Sequence, residues 1–311
     1  MYYEGSKRFW NLVDLPDNIA ILRDWQAKYG SEHIRLRTMK FFLDGTNEIG
    51  TSAVLQPFSN DPTGTDYGTL NMSEDDLVKC MVMLNKENLD LHIHMVGDRA
   101  FRTACNAVQR AEKILGHKWR IQVAFAHCEL VDPADMPRVA KLGIIINWSP
   151  RWSGGYFGPS AADWLGWDRF NRMYQFNTII RTGGIVDYGS DVVGYEEANR
   201  ADPFFGMQVG HTRIDPEFPL EDCPGVLTGT AIRQPLSACL SLPNLVKGYT
   251  LNGAIQLRLA DKMGSITVGK LANLAVLNKD LFSVPDDEIS SVQPETVVFE
   301  GKVVHGTLML Q

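Results

Sequence analysis

Four residues spread over half of the chain have side chains that could bind a metal ion together: Lys40, His94, His127 and Asp191. Neutral imidazole and carboxylate are ligands that Zn²⁺ and similar ions take in proteins, and a catalytic site keeps one position for water. Such an ion lowers the pKa of its water towards ~7, so that hydroxide forms at neutral pH. A carboxylate beside that water, here Asp191, is suited to accept the proton and pass it to a leaving group.

Lys40 differs from the other three because a protonated amine repels a cation. It fits a metal site only if its surroundings deprotonate it or if carbon dioxide converts it into a carbamate, which can bridge two metal ions. Taken singly, each of the four has a plainer interpretation as a solvated rim residue or a hydrogen-bonded core group. The metal hypothesis rests on all four occurring at equivalent places in the chain.

These places are the ends of short apolar runs that the pattern predicts to be strands. The runs alternate with helical segments, and near-continuous apolar strands are typical of a parallel sheet covered on both faces, which predicts an α/β fold. The predicted strands are 34–44, 89–95, 121–127, 144–150 and 184–191, and the predicted helices are 1–30, 72–88, 100–116, 132–143, 168–184 and 242–259.

Spacing along the chain places the four residues on neighbouring strands. His127 follows His94 by 33 residues, about one βα unit. Asp191 follows His127 by 64 residues, which leaves room for one further strand, and Lys40 precedes His94 by one unit with a long loop over 45–72. The four then lie at the carboxyl ends of strands n, n+1, n+2 and n+4, the rim where barrel enzymes carry their active sites.

Eight motifs follow one another along the chain. They are KFFLDG (40–45), IHMVGDRA (93–100), AHCELVDP (126–133), LGWDRF (165–170), GSD (189–191), ADPFFGMQVGHTR (201–213), GYTLNGA (248–254) and MGSITVGKLANLAVL (263–277). In this order they resemble the amidohydrolase superfamily, and within it the amidohydrolase 3 (YtcJ-like) family, some of whose members are labelled exoenzyme regulatory proteins.

The resemblance implies a (β/α)8 TIM barrel whose full site holds two divalent metal ions, with zinc expected, and of which this chain would hold one or none. It implies that Lys40 is a carboxylated, bridging lysine on strand 4 and that His94 and His127 are ligands on strands 5 and 6. Asp191, on strand 8, becomes both a ligand and the proton shuttle. The implied reaction is hydrolysis of a C–N bond in an amide, a formamide or a cyclic amide.

The sequence departs from the family pattern in its His-x-His pair. The family carries this pair at the end of strand 1, whereas His92-x-His94 falls on strand 5. We therefore expect the chain to correspond to the C-terminal part of a longer enzyme. Residues 1–262 would hold barrel strands 4 to 8, and residues 263–311 part of a composite β-sandwich. We further expect His92 to face the helices.

A second long loop, residues 151–168, is rich in aromatic residues. Binding pockets are commonly lined by aromatic side chains with a few polar groups, so Trp152 and Tyr156 are candidate substrate-binding residues. Packing over the barrel mouth is the plainer alternative for both.

Composition limits the remaining possibilities. Of 311 residues, 44% are hydrophobic and 22% are charged, and the net charge is −7, as in soluble globular proteins. The sequence has no basic tract and no apolar run long enough to span a bilayer, so we expect neither a nucleic-acid nor a membrane partner. Five scattered cysteines without a Cys-x-x-Cys pair fit a reduced compartment, and a cytoplasmic location is expected.

Three functions therefore remain open. The chain could be a metal-dependent amidohydrolase that acts on a small molecule, a truncated and catalytically inactive homologue without the His-x-His ligands, or a regulatory or binding protein. A barrel without strands 1 to 3 would expose an unpaired strand edge, so we expect a homo-oligomer.

Overall fold

The core of the protein is a five-stranded parallel sheet, as the βα alternation predicted. The computed structural model describes residues 12–156, 159–192 and 194–307. The strands pair in chain order. They are β1 (Thr38–Phe42), β2 (Asp90–Met95), β3 (Val123–His127), β4 (Ile145–Trp148) and β5 (Ile185–Tyr188).

Helices connect successive strands and cover the sheet. Among the described residues they are α1 (Leu15–Tyr29), α2 (Glu74–Glu87), α3 (Asp98–Leu115), α4 (Arg138–Lys141), α5 (Ser160–Leu165), α6 (Trp167–Phe170), α7 (Phe176–Arg181), α8 (Pro203–Thr212), α9 (Leu242–Lys247) and α10 (Gly253–Gln256). Part of the first predicted helix, residues 1–11, lies outside the described residues. None of the helices in the described ranges combines the length and the apolarity needed to cross a bilayer.

Helices α2 and α3 show how local sequence sets the fold. The Ser73 hydroxyl accepts the backbone N–H of Asp76 at 3.2 Å, so Ser73 is the N-cap of α2. Gly116, with a φ of 53°, ends α3. Buried side chains recur on α3 at three- and four-residue spacing, from Ala100 and Ala104 to Ala111, so one side of this helix faces the core.

Several predicted helices and loops have different bounds in the structure. The predicted helix over 168–184 is two helices, α6 and α7, because Tyr174 between them adopts a left-handed φ of 63° and donates its N–H to the carbonyl of Glu129 at 2.7 Å. The predicted helix over 242–259 is interrupted by a π-helical turn, Gly248–Asn252. Only α4 forms within 132–143, and the predicted loop over 151–168 contains α5.

The C-terminal part of the chain forms a separate antiparallel sheet. Its strands are β6 (Leu274–Leu277), β7 (Pro294–Phe299) and β8 (Lys302–His305), paired in chain order. The described residues after 262 form strands in this one small sheet, and a second sheet is not seen among them. The composite β-sandwich therefore stays a prediction. The placement of β1 to β5 as strands 4 to 8 of a barrel also stays a prediction.

The long loop after β1 is fixed to the end of β2 by one carboxylate. Asp44 is 2% exposed and accepts the N–H groups of Ala53 at 2.9 Å, Val96 at 2.9 Å and Gly97 at 2.8 Å. Burial raises the pKa of Asp44 to about 7, against the effect of these three hydrogen bonds. The loop is therefore an ordered wall at the carboxyl edge of the sheet.

Candidate metal centre

Register places Lys40 and both histidines of β2 on one face of the sheet, which we call the inner face. Lys40 pairs with His92, and Phe42 pairs with His94. Side chains of residues paired in this way, and of residues two apart on one strand, point to the same face. The expectation that His92 faces the helices was therefore wrong, because side chains two residues apart on a strand, such as those of His92 and His94, point to the same face.

The imidazole rings of His94 and His127 meet edge to face, with centroids 4.5 Å apart. Alternation alone would point His127 away from the inner face, because its register partner is Met95 and not His94. His127, however, has a φ of 70°. This left-handed backbone, rare and costly for a residue with a side chain, accompanies the turn that brings its ring against His94.

Asp191 lies three residues beyond β5 and also has a left-handed backbone, with a φ of 48°. Its Oδ2 is 3.9 Å from Nδ1 of His127, and its side chain is 44% exposed. The structure thus brings His94, His127 and Asp191 to one place at the carboxyl edge of the sheet, as the spacing predicted.

The electrostatics of this place keep the imidazoles neutral. Burial lowers the pKa of His92 and of His94 to about 4, and it lowers the pKa of His127 well below its ordinary range. The positive charge of Lys40 acts in the same direction on all three. Desolvation also lowers the pKa of Lys40, although the carboxylate of Asp191 opposes this shift. Neutral imidazole is the form that binds metal.

These donors fit a divalent cation in type but do not form a full coordination shell. In the described ranges, no group of three His, Cys, Asp or Glu side chains is close enough to hold a metal ion. Nε2 of His94 is 3.0 Å from the carbonyl oxygen of Gly45, so this ring is engaged with the backbone. The arrangement offers the His127–Asp191 pair with His94 beside it.

The two aromatic candidates occupy different positions. Trp152 is 7% exposed and stacks on His127, with centroids 5.3 Å apart, so it forms a wall of the candidate centre. The hydroxyl of Tyr156 donates to the carboxylate of Glu197, and its ring lies 5.2 Å from the guanidinium carbon of Arg151. Tyr156 therefore stands one layer farther out, behind Arg151.

Sequence reasoning missed several buried polar groups near the centre. Asn147 on β4 donates to Asp187 on β5 at 2.8 Å, and burial raises the pKa of Asp187 to about 7. Asn47 donates to Glu129 at 3.1 Å, and burial raises the pKa of Glu129 well above its ordinary range. A polar residue inside an otherwise apolar strand was the signal available for Asn147 and Asp187. For Glu129 there was only its place two residues after His127.

Comparison with known proteins identifies the family to which the chain is similar. The model of the amidohydrolase family designated Amidohydro_3 matches residues 6–305. YtcJ of Bacillus subtilis (strain 168), named as an amidohydrolase, is 23% identical over 278 residues, which cover 89% of this chain and 49% of that protein. The exoenzymes regulatory protein AepA of Pectobacterium carotovorum subsp. carotovorum is 22% identical over 188 residues, which cover 60% of this chain and 39% of that protein.

Solved structures share the fold. An uncharacterized metal-dependent hydrolase from Pyrococcus horikoshii OT3 superposes with a TM-score of 0.65 at 19% identity, over 86% of this chain and 50% of that one. One from Pyrococcus furiosus gives 0.61 at 19% identity, over 81% and 47%. The chain thus spans about half the length, or less, of these relatives. Because the family model matches almost the entire sequence, the chain belongs to the amidohydrolase family.

Proposed function

We propose that this chain carries the C-terminal half of a metal-dependent hydrolase centre that cleaves C–N bonds of amides, formamides or cyclic amides. The observation that carries the proposal is the meeting of two neutral imidazoles, His94 and His127, with the carboxylate of Asp191 at the carboxyl edge of a parallel sheet. Membership of the amidohydrolase family and the likeness to metal-dependent hydrolases support this reaction class.

In the proposed centre His94, His127 and Asp191 would hold a divalent cation once these side chains come closer together than they lie here, and zinc suits this donor set. When bound, such an ion supplies Lewis-acid activation of water and of the scissile carbonyl. Lys40 is the proposed fourth ligand. Carbon dioxide would convert its amine, whose pKa desolvation lowers, into the carbamate ligand.

The other chemical tasks fall to the chain's own side chains. Asp191 is accessible, so its carboxylate accepts a proton from the attacking water and delivers it to the leaving nitrogen. Trp152 forms an apolar wall beside His127 and keeps bulk water from that side. Tyr156, together with Phe218 and Cys223, lines a separate cleft of about 430 Å³, whose lining includes none of the four candidate ligands.

Metal analysis with a matched variant tests the proposal. Protein dialysed against zinc and then against buffer is expected to retain at least one equivalent, and Asp191→Asn is expected to retain less. Turnover of N-acyl and N-formyl amino acids and of cyclic amides is expected to fall about 10²-fold or more in Asp191→Asn if this residue is the general base. Folded wild-type protein that retains no zinc would refute the metal centre.

The second candidate is a catalytically inactive homologue or a regulatory protein. The observation in its favour is that no group of three metal-binding side chains converges within the described ranges. The same metal analysis separates the two functions. Zinc bound without turnover on any amide would favour a binding role, and tight binding with turnover would exclude it.

A further inference from the structure

Arg151 holds the segment that carries Asp191. This arginine follows β4 in a short 3-10 turn, Pro150–Trp152, and its side chain is only 2% exposed. Nε donates to the carbonyl of Ser190 at 2.7 Å, and Nη2 lies 3.2 Å from the carbonyl of Asp191. One buried guanidinium therefore fixes two consecutive peptide units at the point where the backbone turns left-handed.

A carboxylate offsets the buried charge of this arginine. Nη2 of Arg151 is 2.9 Å from Oε2 of Glu197, and the hydroxyl of Tyr156 donates to the other oxygen of the same carboxylate. A buried cation without such a partner would be costly. The guanidinium suits this task because its donors point in fixed directions, whereas a lysine ammonium is a compact point charge on a flexible stem.

The neighbouring residue contacts the other side of the candidate centre. Trp152 stacks on His127 with an angle of 26° between the rings, and the guanidinium carbon of Arg151 lies 5.5 Å from the Trp152 ring. Trp152 stacks on His127, Arg151 contacts the carbonyl of Asp191, and the Asp191 carboxylate lies 3.9 Å from His127. These contacts join the two ends of the candidate centre through the dipeptide. The dipeptide Arg151-Trp152 therefore touches both His127 and Asp191.

We propose that Arg151 is a positioning residue that sets the separation of His127 and Asp191 by holding the carbonyls of Ser190 and Asp191. The consequence for metal affinity rests on the proposed function, but the consequence for the backbone does not. Side chains that orient metal ligands typically change metal affinity 10- to 100-fold when they are replaced. If Arg151 only fills space in the core, its loss lowers stability and leaves the centre unchanged.

The test compares Arg151→Met with Arg169→Met. Arg169 is a matched control because it is also buried, at 6% exposure, and also donates to backbone carbonyls, those of Leu165, Gln56 and Pro57. Both variants are expected to melt at lower temperature. Only Arg151→Met is expected to bind zinc about tenfold or more weakly, measured by competition with a chromophoric chelator.

A second readout needs no metal. The Gly189 amide donates to the carbonyl of Trp148 at 2.9 Å, directly before the segment that Arg151 holds. Its hydrogen exchange, followed by NMR, is expected to be about tenfold faster in Arg151→Met and unchanged in Arg169→Met. Millimolar guanidinium ion is expected to restore slow exchange in Arg151→Ala, because it can occupy the vacated space. Arg151→Lys serves as the folded substitute if the methionine variant does not fold.

The outcomes separate this proposal from the proposed function. If wild-type protein binds no zinc, the proposed function fails, and exchange at Gly189 alone decides the role of Arg151. Equal exchange at Gly189 in the Arg151 and Arg169 variants would overturn the positioning role. Zinc affinity that is lowered equally in both variants would overturn it as well.

Discussion

The neutral imidazole of His94 predicts a specific loss of stability in acid. His94 is 8% exposed, and burial lowers its pKa from the ordinary 6.5 to about 4. Between these two values the unfolded chain binds a proton that the folded protein does not. The stability associated with the neutral ring is therefore fully present above pH 6.5 and is lost as the pH falls towards 4.

The size of the effect follows from the shift. Each pKa unit corresponds to about 1.4 kcal/mol, and about 1.5 units of the window lie between pH 6.5 and pH 5. Acidification from pH 7 to pH 5 is thus expected to remove about 2 kcal/mol through His94 alone. Asp44 and Asp187, whose pKa values burial raises to about 7, act in the opposite direction. A carboxyl group whose pKa is raised in the folded state makes the folded protein more stable as the pH falls.

A variant isolates the contribution of His94 from these opposing groups. His94→Gln keeps a polar group near the carbonyl of Gly45 and does not titrate, whereas Asp44 and Asp187 are present in both proteins and cancel in the difference. Urea unfolding of metal-free protein at pH 7, 6 and 5 is expected to show a difference between the two proteins that changes by about 2 kcal/mol. His117→Gln, at an exposed position beyond α3, is the control. Parallel pH profiles for wild type and His94→Gln would refute the reasoning.

Four further predictions follow from burial, capping and strand edges. Asp215→Asn leaves the buried guanidinium of Arg200 without its main counter-ion and is expected to cost about 3 kcal/mol in urea unfolding. Glu217→Gln changes a partner of the same arginine whose side chain is 42% exposed, and this control should cost little. Phe101→Ala, in a fully buried position, is expected to cost about 3–5 kcal/mol, and a loss below 1 kcal/mol would contradict the packing. Ser73→Ala removes the cap of α2 and is expected to cost about 1 kcal/mol, with Ser73→Asp restoring it. Because β1 and β5 each pair on one side only among the described residues, the chain is expected to self-associate through a sheet edge, and light scattering that shows a clean monomer would contradict this.

The parts of the fold that follow from sequence are those with a strong period. Apolar runs separated by helical segments placed all five strands, and the spacing between Lys40, His94, His127 and Asp191 matched the strand order that the structure shows. Strand neighbours follow from sequence because a parallel connection needs a crossover of a certain length. The end of the predicted helix at Gly116 agrees with the end of α3 for a similar reason, since a single residue specifies it.

The parts that did not follow depend on contacts between distant residues. Tyr174 ends a helical stretch because its N–H reaches the carbonyl of Glu129, and no local pattern announces this. The side on which His127 projects depends on a left-handed φ at a residue that is not glycine. Arg151 carried no signal at all, since an arginine beside aromatic residues is usual on a surface, and only the fold places it against the carbonyls of Ser190 and Asp191.

The inner face of the sheet also determines which segments can cover it. Lys40 is exposed there, and Asp191 at its edge is 44% exposed. A segment that packs against this face removes water from one amine and one carboxylate, so an apolar segment would leave charges unpaired. Any segment that covers the face must therefore bring a group that neutralises Lys40 and a hydrogen-bond donor or cation for Asp191. Such a segment is selected by charge as well as by shape.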